Sequence, residues 1–224
     1  LLEACRANTE YVLKKNKFDK SMNIKFQELR KGLKLENELD LIESYDISHF
    51  SGKNAVAGCV VYSAEGKARQ LYRSYNISKS LWGNDIGSMI ELIERRFSED
   101  KSRKLPGLVI IDGGKAHLQK TLKAFEACDI KDINVVSISK GVRRKTSFDR
   151  IHLSNGESIN IDQNSIFHQF IQEIRDETHR YAISIQKKKM RKTSIQSSLD
   201  SFYGIGEVRK SNLLRYFGSL EQIK

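Results

Sequence analysis

The sequence predicts an α/β fold in which a mixed β-sheet carries helices on its faces, with a small all-helical unit after it. Two observations predict this class. The spacing of apolar residues changes from helical to strand-like near residue 41, and amphipathic helices alternate with short apolar runs beyond the third predicted strand. With 224 residues, the chain is long enough for one sizeable core and a minor appendage.

A charged helical segment precedes the first strand. Residues 1–40 carry apolar side chains spaced three to four apart in two stretches, and the second stretch contains Phe26, Leu29 and Leu33. We expect this segment to form a helical lead-in that packs on the main domain.

Three strands joined by short turns are predicted next, at residues 41–48, 55–62 and 68–77. The intervening segments 51–54 and 63–67 have the length and composition of hairpin turns. Consecutive strands with turns this short form an antiparallel meander, which we place at the start of the sheet.

The pattern then alternates between helix and strand. Helical spacing at residues 85–97 precedes an unbroken apolar run at 108–111, which is typical of a strand buried on both faces. A second helix, 115–128, and a further strand, 135–139, follow. A β-meander leading into α, β, α, β is the element order of an RNase H-like sheet, and we assign residues 41–186 to this domain.

The remaining chain is predicted to contain a polar hairpin around Asn155-Gly156 and a long helix over residues 165–186. We interpret the basic run 187–193 as a linker. Residues 194–224 then form a separate, small helical unit.

Lysine and arginine number 39 against 28 aspartate and glutamate residues, which gives a formal net charge of +11. Such a surplus favours a polyanionic partner, because cations placed on phosphates release counterions. Nucleic acid is the first interpretation and an anionic membrane surface is the second. Charge alone also fits a basic protein that is merely soluble.

Composition excludes several classes of protein. Cys5, Cys59 and Cys128 are isolated and odd in number, so they form neither a disulfide framework nor a paired-cysteine metal site, and a cytoplasmic location is expected. No stretch reaches the roughly 20 apolar residues of a membrane span, and no signal peptide is recognisable. Because the sequence starts with Leu1 and stops at Lys224 within a predicted helix, we expect a piece of a longer protein.

Two aspartates lie toward the ends of predicted strands. Asp112 follows the buried strand and precedes two glycines, at the strand end where open α/β sheets hold ligands. Asp46 lies toward the end of the first strand, where a carboxylate is costly unless it binds a cation or stays solvated. Because both strands share one sheet, we expect the two acids to be neighbours that hold a divalent cation. The alternative for Asp112 is a helix N-cap.

Asp85 and His179 are further candidates. Asp85 follows Gly83-Asn84 at the start of a helix, so a capping role competes with a catalytic one. His179 lies beside the apolar stripe of its helix and not within it. A neutral imidazole binds transition metals and carries protons, although a solvated surface histidine explains the pattern equally well.

Five segments resemble the C-terminal half of the UvrC family, the nuclease subunits of bacterial nucleotide excision repair. They occur in the family's order between about residue 41 and residue 186. The five segments are Tyr45-Asp46-Ile47-Ser48-His49, Tyr72-Arg73-Ser74-Tyr75-Asn76-Ile77, Gly83-Asn84-Asp85, Ile110-Ile111-Asp112-Gly113-Gly114-Lys115 and Arg175-Asp176-Glu177-Thr178-His179-Arg180-Tyr181-Ala182-Ile183.

The resemblance implies an RNase H-like DNA endonuclease that makes the incision on the 5′ side of a lesion in double-stranded DNA. It implies a catalytic triad of Asp46, Asp112 and His179 that holds Mg²⁺ or Mn²⁺, and a further catalytic acid at Asp85. It also implies recruitment of the full-length protein by UvrB, through a segment that these residues lack. A basic loop of the family, which would hold DNA phosphates, corresponds to Lys140, Arg143, Arg144 and Lys145.

The tail resembles a helix-hairpin-helix motif. The hairpin from Gly204 to Gly206 would direct backbone N–H groups to a DNA phosphate, and Arg209 and Lys210 would add positive charge. The family carries two such motifs in tandem, and the second is cut off here at Lys224. An ordinary helical hairpin is the alternative.

Two other functions stay open. Another phosphoryl transferase of the RNase H fold, such as a ribonuclease H or a transposase, predicts activity on RNA–DNA hybrids or strand joining. A non-catalytic DNA-binding module, whose acids are only helix caps, predicts DNA binding that is indifferent to metal chelation and to the loss of Asp112.

Overall fold

The computed structural model describes residues 2–50, 54–99, 102–139, 150–161 and 164–200, together with the isolated positions 206, 208, 209, 212 and 216. The helices in these ranges are α1 (Leu2–Gly32), α2 (Asp85–Glu94), α3 (Lys115–Ala127) and α4 (Ile166–Asp200). The strands are β1 (Leu41–Phe50), β2 (Asn54–Ser63), β3 (Gly66–Lys67), β4 (Arg73–Asn76), β5 (Leu108–Asp112), β6 (Asn134–Ser139), β7 (Arg150–Leu153) and β8 (Ser158–Asn160).

The strands form one mixed sheet, which confirms the predicted fold class. Its order across the described residues is β3-β2-β1-β5-β6-β7-β8, and β4 pairs with β2 beside β3. Strand β1 is antiparallel to β2 and parallel to β5, which in turn is parallel to β6. The meander therefore occupies one side of the sheet, and the two strands reached through helices occupy its middle.

Side chains alternate between the two faces of the sheet and build a core on each. Helices α2 and α3 cover one face, where Tyr45 and Ile111 are buried. Helices α1 and α4 cover the other face, where Ile42 and Ile110 are buried. The direction of a side chain in β1 or β5 therefore decides which pair of helices it meets.

The N-terminal segment forms one continuous helix, α1, and not the two stretches that its sequence suggests. The C-terminal half of α1 packs on the face that it shares with α4, where Met22, Phe26 and Leu29 are buried. The helical lead-in thus forms part of the main core, as its apolar spacing predicts.

The third predicted strand, residues 68–77, is interrupted. A 3₁₀ turn at Arg69–Leu71 separates the two-residue β3 from β4. The turn buries Ala68 and Tyr72 and leaves Gln70 between them exposed. A continuous strand would place all three side chains on the same face, so it could not bury only two of them.

Two predicted helix ends are wrong. Helix α2 ends at Glu94, and the chain then forms a π-helical turn, Arg95–Glu99. Helix α4 does not stop near residue 186 but runs to Asp200. The basic run 187–193 is therefore helical, and its role as a linker stays a prediction. Its lysines, arginine and methionine are good helix formers, and no glycine or proline interrupts α4. The division of the chain into a nuclease domain and a tail stays a prediction.

No helix in the described part of the chain combines the length and the apolar character needed to cross a membrane.

A buried acid ties α4 to the meander. Glu177 of α4 is 6% exposed and accepts hydrogen bonds from Arg180 Nη2 at 2.6 Å, Lys67 Nζ at 3.1 Å and the Tyr72 hydroxyl at 3.1 Å. The hydrogen bonds from Arg180, helped by Lys67 and opposed by burial, lower the pKa of Glu177 from 4.5 to about 2. The ionised carboxylate is therefore part of the folded structure.

We expect the fold to lose stability in acid because of Glu177. Since its folded pKa lies below its unfolded pKa, its contribution is complete above pH 4.5 and is lost as the pH falls toward 2. The difference between the two pKa values corresponds to roughly 3 kcal/mol at most. Thermal unfolding followed by circular dichroism should show a steeper acid loss for the native chain than for Glu177→Gln. In Glu173→Gln, which alters the acid paired with Lys25, with a side chain that is 33% exposed, the acid loss should stay close to native. Equal acid profiles for all three would refute this role of Glu177.

Candidate active site

The two predicted acids meet at one edge of the sheet. In the parallel ladder of β1 and β5, Tyr45 is level with Ile111, so the next residues, Asp46 and Asp112, lie side by side where this ladder ends. Asp112 is the last residue of β5, whereas β1 continues to Phe50. Both acids belong to the alternation that faces α4, and both line one cavity of about 240 Å³. The sequence prediction that these acids are neighbours is therefore confirmed.

Asp46 is the more enclosed of the two acids. Its side chain is 16% exposed, and its Oδ2 lies 2.9 Å from Nδ1 of His179. Burial raises the pKa of Asp46, the interaction with His179 opposes that rise, and the nearby charge of Asp112 adds to it. The two carboxylates therefore repel each other within the cavity.

Asp112 is half exposed and does not cap a helix. Helix α3 has Gly114 as its N-cap, without a capping side chain, so the alternative reading of Asp112 is not supported. Gly113, between Asp112 and Gly114, has φ +143°, and a Cβ there would collide with the imidazole of His117. The glycine therefore permits the turn that leaves the Asp112 carboxylate open to solvent.

Helix α4 supplies the opposite wall of the cavity. His179 reaches Asp46, and Arg175, one turn earlier, places Nη2 3.6 Å from Oδ1 of Asp112. Arg175, Asp176 and His179 all line the cavity. The sequence shows Arg175 in the same segment as His179 but indicates no role for it. Only the crossing of α4 over the strand ends shows that it faces an acid.

A glycine sets how closely α4 approaches. Gly58 of β2 is the ladder partner of Asp46. A Cβ at Gly58 would lie 3.2 Å from the Cα of Ala182, three residues after His179. The close approach of helix and sheet at this position brings the imidazole within hydrogen-bonding distance of Asp46.

Asp85 lies on the other side of the same edge. Asn84 caps α2, since its Oδ1 accepts a hydrogen bond from the Gly87 amide, so Asp85 is not the capping residue. Asp85 lines a second cavity, of about 410 Å³, which shares Asp46 and Asp112 with the first. The structure thus brings all four predicted catalytic residues to one groove.

His49 is a neighbour of Asp85 that the sequence did not single out. Its Nε2 lies 2.5 Å from Oδ1 of Asp85, without the alignment of a hydrogen bond. His49 is three residues after Asp46, so the alternation of β1 sends the two side chains to opposite faces. Two Asp–His pairs therefore flank the groove, one on each side of the sheet edge.

The predicted DNA-binding residues are largely outside the described residues. This is so for Lys140, Arg143, Arg144, Lys145, Gly204 and Lys210. Gly206 and Arg209 are described only as isolated exposed positions. Their roles stay predictions.

The acids fit a hard divalent cation in part. Mg²⁺ and Mn²⁺ prefer carboxylate oxygens, and an ion between Asp46 and Asp112 would relieve their mutual repulsion. Within the described ranges, however, no three histidine, cysteine or acidic side chains lie close enough together to hold a metal ion. Of these residues, Asp46 and Asp112 would hold such an ion. A ligand role of His179 would use Nε2, because Nδ1 is in contact with Asp46.

Comparison with known protein families gives a match over most of the chain. The family model described as the UvrC RNAse H endonuclease domain matches residues 30–183. The chain is similar to the UvrABC system protein C of Xylella fastidiosa (strain M23), with 36% identity over 209 residues, which are 92% of the chain and 34% of that protein. It is 33% identical over 226 aligned residues to the protein of the same name from Coxiella burnetii (strain CbuK_Q154), across 100% of the chain and 36% of that protein.

Among solved structures, the chain is similar to Ciona intestinalis endonuclease V in complex with inosine-containing DNA. This match has a TM-score of 0.36 and 17% identity, and it covers 55% of the chain and 57% of that structure. A Kluyveromyces polysporus Argonaute with a guide RNA matches with a TM-score of 0.31 and 15% identity, over 60% of the chain and 19% of that structure. The chain spans about a third of the length of the curated relatives that it matches.

Proposed function

Because the chain belongs to the UvrC family, we propose that it is a metal-dependent DNA endonuclease that makes the 5′ incision beside a lesion in bacterial nucleotide excision repair. The observation that carries the proposal is the groove in which Asp46 and Asp112 meet side by side, with His179 in contact with Asp46. Paired carboxylates on adjacent parallel strands are suited to hold a cation against a phosphodiester.

The proposed cofactor is Mg²⁺ or Mn²⁺, held by Asp46 and Asp112. A divalent cation bound there would activate water for attack and stabilise the negative charge that develops on the phosphate. Asp112 is open to solvent on one side, so substrate can reach it. Asp46 is enclosed and so is fixed in position.

His179 is proposed to manage a proton. Its side chain is 68% exposed, and its contact with Asp46 through Nδ1 orients the ring. The other ring nitrogen, Nε2, would then accept or donate a proton at the reacting water or at the leaving oxygen. On the far side of the groove, the close contact with His49 would hold the Asp85 carboxylate in the second cavity.

The proposed substrate is double-stranded DNA that contains a lesion. The net charge of +11 supports binding to its phosphates. For the longer protein we propose recruitment by UvrB and a cytoplasmic location. Neither depends on the residues that form the groove.

Nicking of a supercoiled plasmid tests the proposal. We expect nicking in Mn²⁺ or Mg²⁺, none in EDTA, and none in Asp112→Ala with metal present. Asp40→Ala, which removes an exposed acid outside the groove, should nick like the native chain. Asp112→Ala should keep its native unfolding temperature, because this carboxylate is half exposed and caps no helix.

The alternative functions give different results in the same assay. Preferential cleavage of an RNA–DNA hybrid over plasmid DNA would indicate a ribonuclease H. DNA binding that is unaffected by EDTA and by Asp112→Ala, with no nicking in either metal, would indicate a non-catalytic module and would refute the endonuclease.

A further inference from the structure

Arg175 lies at the junction of the two cavities. It lines both of them, together with Asp46 and Asp112. Its side chain is only 18% exposed, so its charge acts inside the groove and not on the outer surface. An arginine is unexpected beside two acids that are suited to bind a metal, because its positive charge competes with the metal for the carboxylates.

The contact between Arg175 and Asp112 is loose. Nη2 lies 3.6 Å from Oδ1, which is beyond the usual hydrogen-bond distance and far from a bidentate guanidinium–carboxylate pair. A tight pair would lock Asp112 in place. A loose one offsets only part of the carboxylate's charge and can be exchanged for another cation.

Helix α4 thus places one basic side chain against each acid, with His179 on Asp46 and Arg175 on Asp112. The two basic residues are one helical turn apart, and the two acids are adjacent across the ladder. Without a metal, this arrangement partly balances the charge of the carboxylates. A divalent cation that binds both acids must compete with these side chains for the carboxylates.

We propose that Arg175 is a built-in counter-cation of Asp112, which competes with the divalent metal and binds a DNA phosphate once it is displaced. This inference rests on the proposed function. A guanidinium released from Asp112 stays in the groove, because its backbone is fixed in α4 and its side chain already borders both cavities. Its planar array of donors matches the non-bridging oxygens of a phosphate.

The direction in which Arg175→Gln changes the Mn²⁺ affinity shows whether Arg175 competes with the metal or positions Asp112 for it. If Arg175 competes, Arg175→Gln should bind Mn²⁺ about fivefold more tightly than the native chain in calorimetry. If Arg175 instead holds Asp112 in place for the metal, the affinity should fall. The matched control is Arg180→Gln, which removes the same charge from the same helix at a residue paired with Glu177 outside both cavities. This control should bind Mn²⁺ as the native chain does.

A second measurement tests the phosphate contact without metal or cleavage. In EDTA, the affinity for a short duplex is measured against salt concentration for the native chain, Arg175→Gln, Asp112→Asn and the double variant. We expect Asp112→Asn to remove the carboxylate that competes with DNA for the guanidinium, so that Arg175→Gln lowers the salt slope by about one in that background and by less in the native background.

Each outcome has a defined consequence. Unchanged or weaker Mn²⁺ binding in Arg175→Gln would overturn the competition, as would an equal gain in Arg180→Gln. Equal effects of Arg175→Gln on the salt slope in both backgrounds would overturn the displaced phosphate contact. If the native chain and Asp112→Asn bind Mn²⁺ alike, the metal site itself fails, and this inference fails with it. That result is distinct from a failure of Arg175 alone.

Discussion

Replacing Asp46 with asparagine is expected to lower the rate of metal-dependent nicking by about 1,000-fold or more. The change keeps the size of the side chain and removes its charge, so it removes one of the two proposed metal ligands. It also removes the carboxylate that orients His179 through the 2.9 Å contact. Single-turnover nicking at saturating Mn²⁺ measures the effect.

The double variant Asp46→Asn, Asp112→Asn makes this prediction sharper. If the two acids act as one site, the second substitution should cost little beyond the first, because the metal is already lost. Asp40→Asn, an exposed acid that pairs with Lys104 before β1, serves as the control and should keep native activity. A loss of less than about tenfold in Asp46→Asn would contradict a ligand role.

The largest effect on stability is expected at Glu43. This acid of β1 is 1% exposed and lies on the face of the sheet that α2 and α3 cover. It accepts hydrogen bonds from Arg96 Nη2 at 3.0 Å and Arg103 Nη2 at 3.1 Å, and from the Tyr45 hydroxyl. Arg96 itself is fully buried. Glu43→Gln would leave a buried guanidinium without its counter-charge, which typically costs about 3–5 kcal/mol.

Urea unfolding at neutral pH measures this cost. Lys104→Ala, which breaks the exposed ion pair with Asp40, is the control and should cost less than about 1 kcal/mol. Because the cost at Glu43 can approach the whole stability of a domain, the double variant Glu43→Gln, Arg96→Met is made as well. It should be more stable than the sum of the single changes allows. A loss of under about 1 kcal/mol in Glu43→Gln would refute the role given to this network.

The strand pattern of the sequence was enough to locate the two acids. The unbroken apolar run before Asp112 predicts a central strand, and the first predicted strand, residues 41–48, contains Asp46, although β1 extends to Phe50. Because both strands share one sheet, the meeting of Asp46 and Asp112 follows from local patterns. The fold class follows from the same order of elements.

The partners of these acids could not be predicted in this way. Arg175 and His49 face their aspartates only because of how α4 crosses β1 and how α2 begins beside it. Such contacts depend on the packing of elements far apart in sequence, and helical or strand periodicity holds no information on them. The end of α4 was missed for another reason. A run of lysines was interpreted as a boundary, although such residues favour a helix.

Gly58 has a consequence for how the groove tolerates change. It carries no chemical group, yet the closeness of α4 to the sheet depends on the missing side chain. Any larger residue there would push α4 away from the sheet. It would move His179 away from Asp46 and Arg175 away from Asp112 at the same time. The distance between α4 and β2 therefore determines both contacts, that of His179 with Asp46 and that of Arg175 with Asp112. Gly58 takes no part in the proposed reaction, yet it determines whether these side chains can contact the acids.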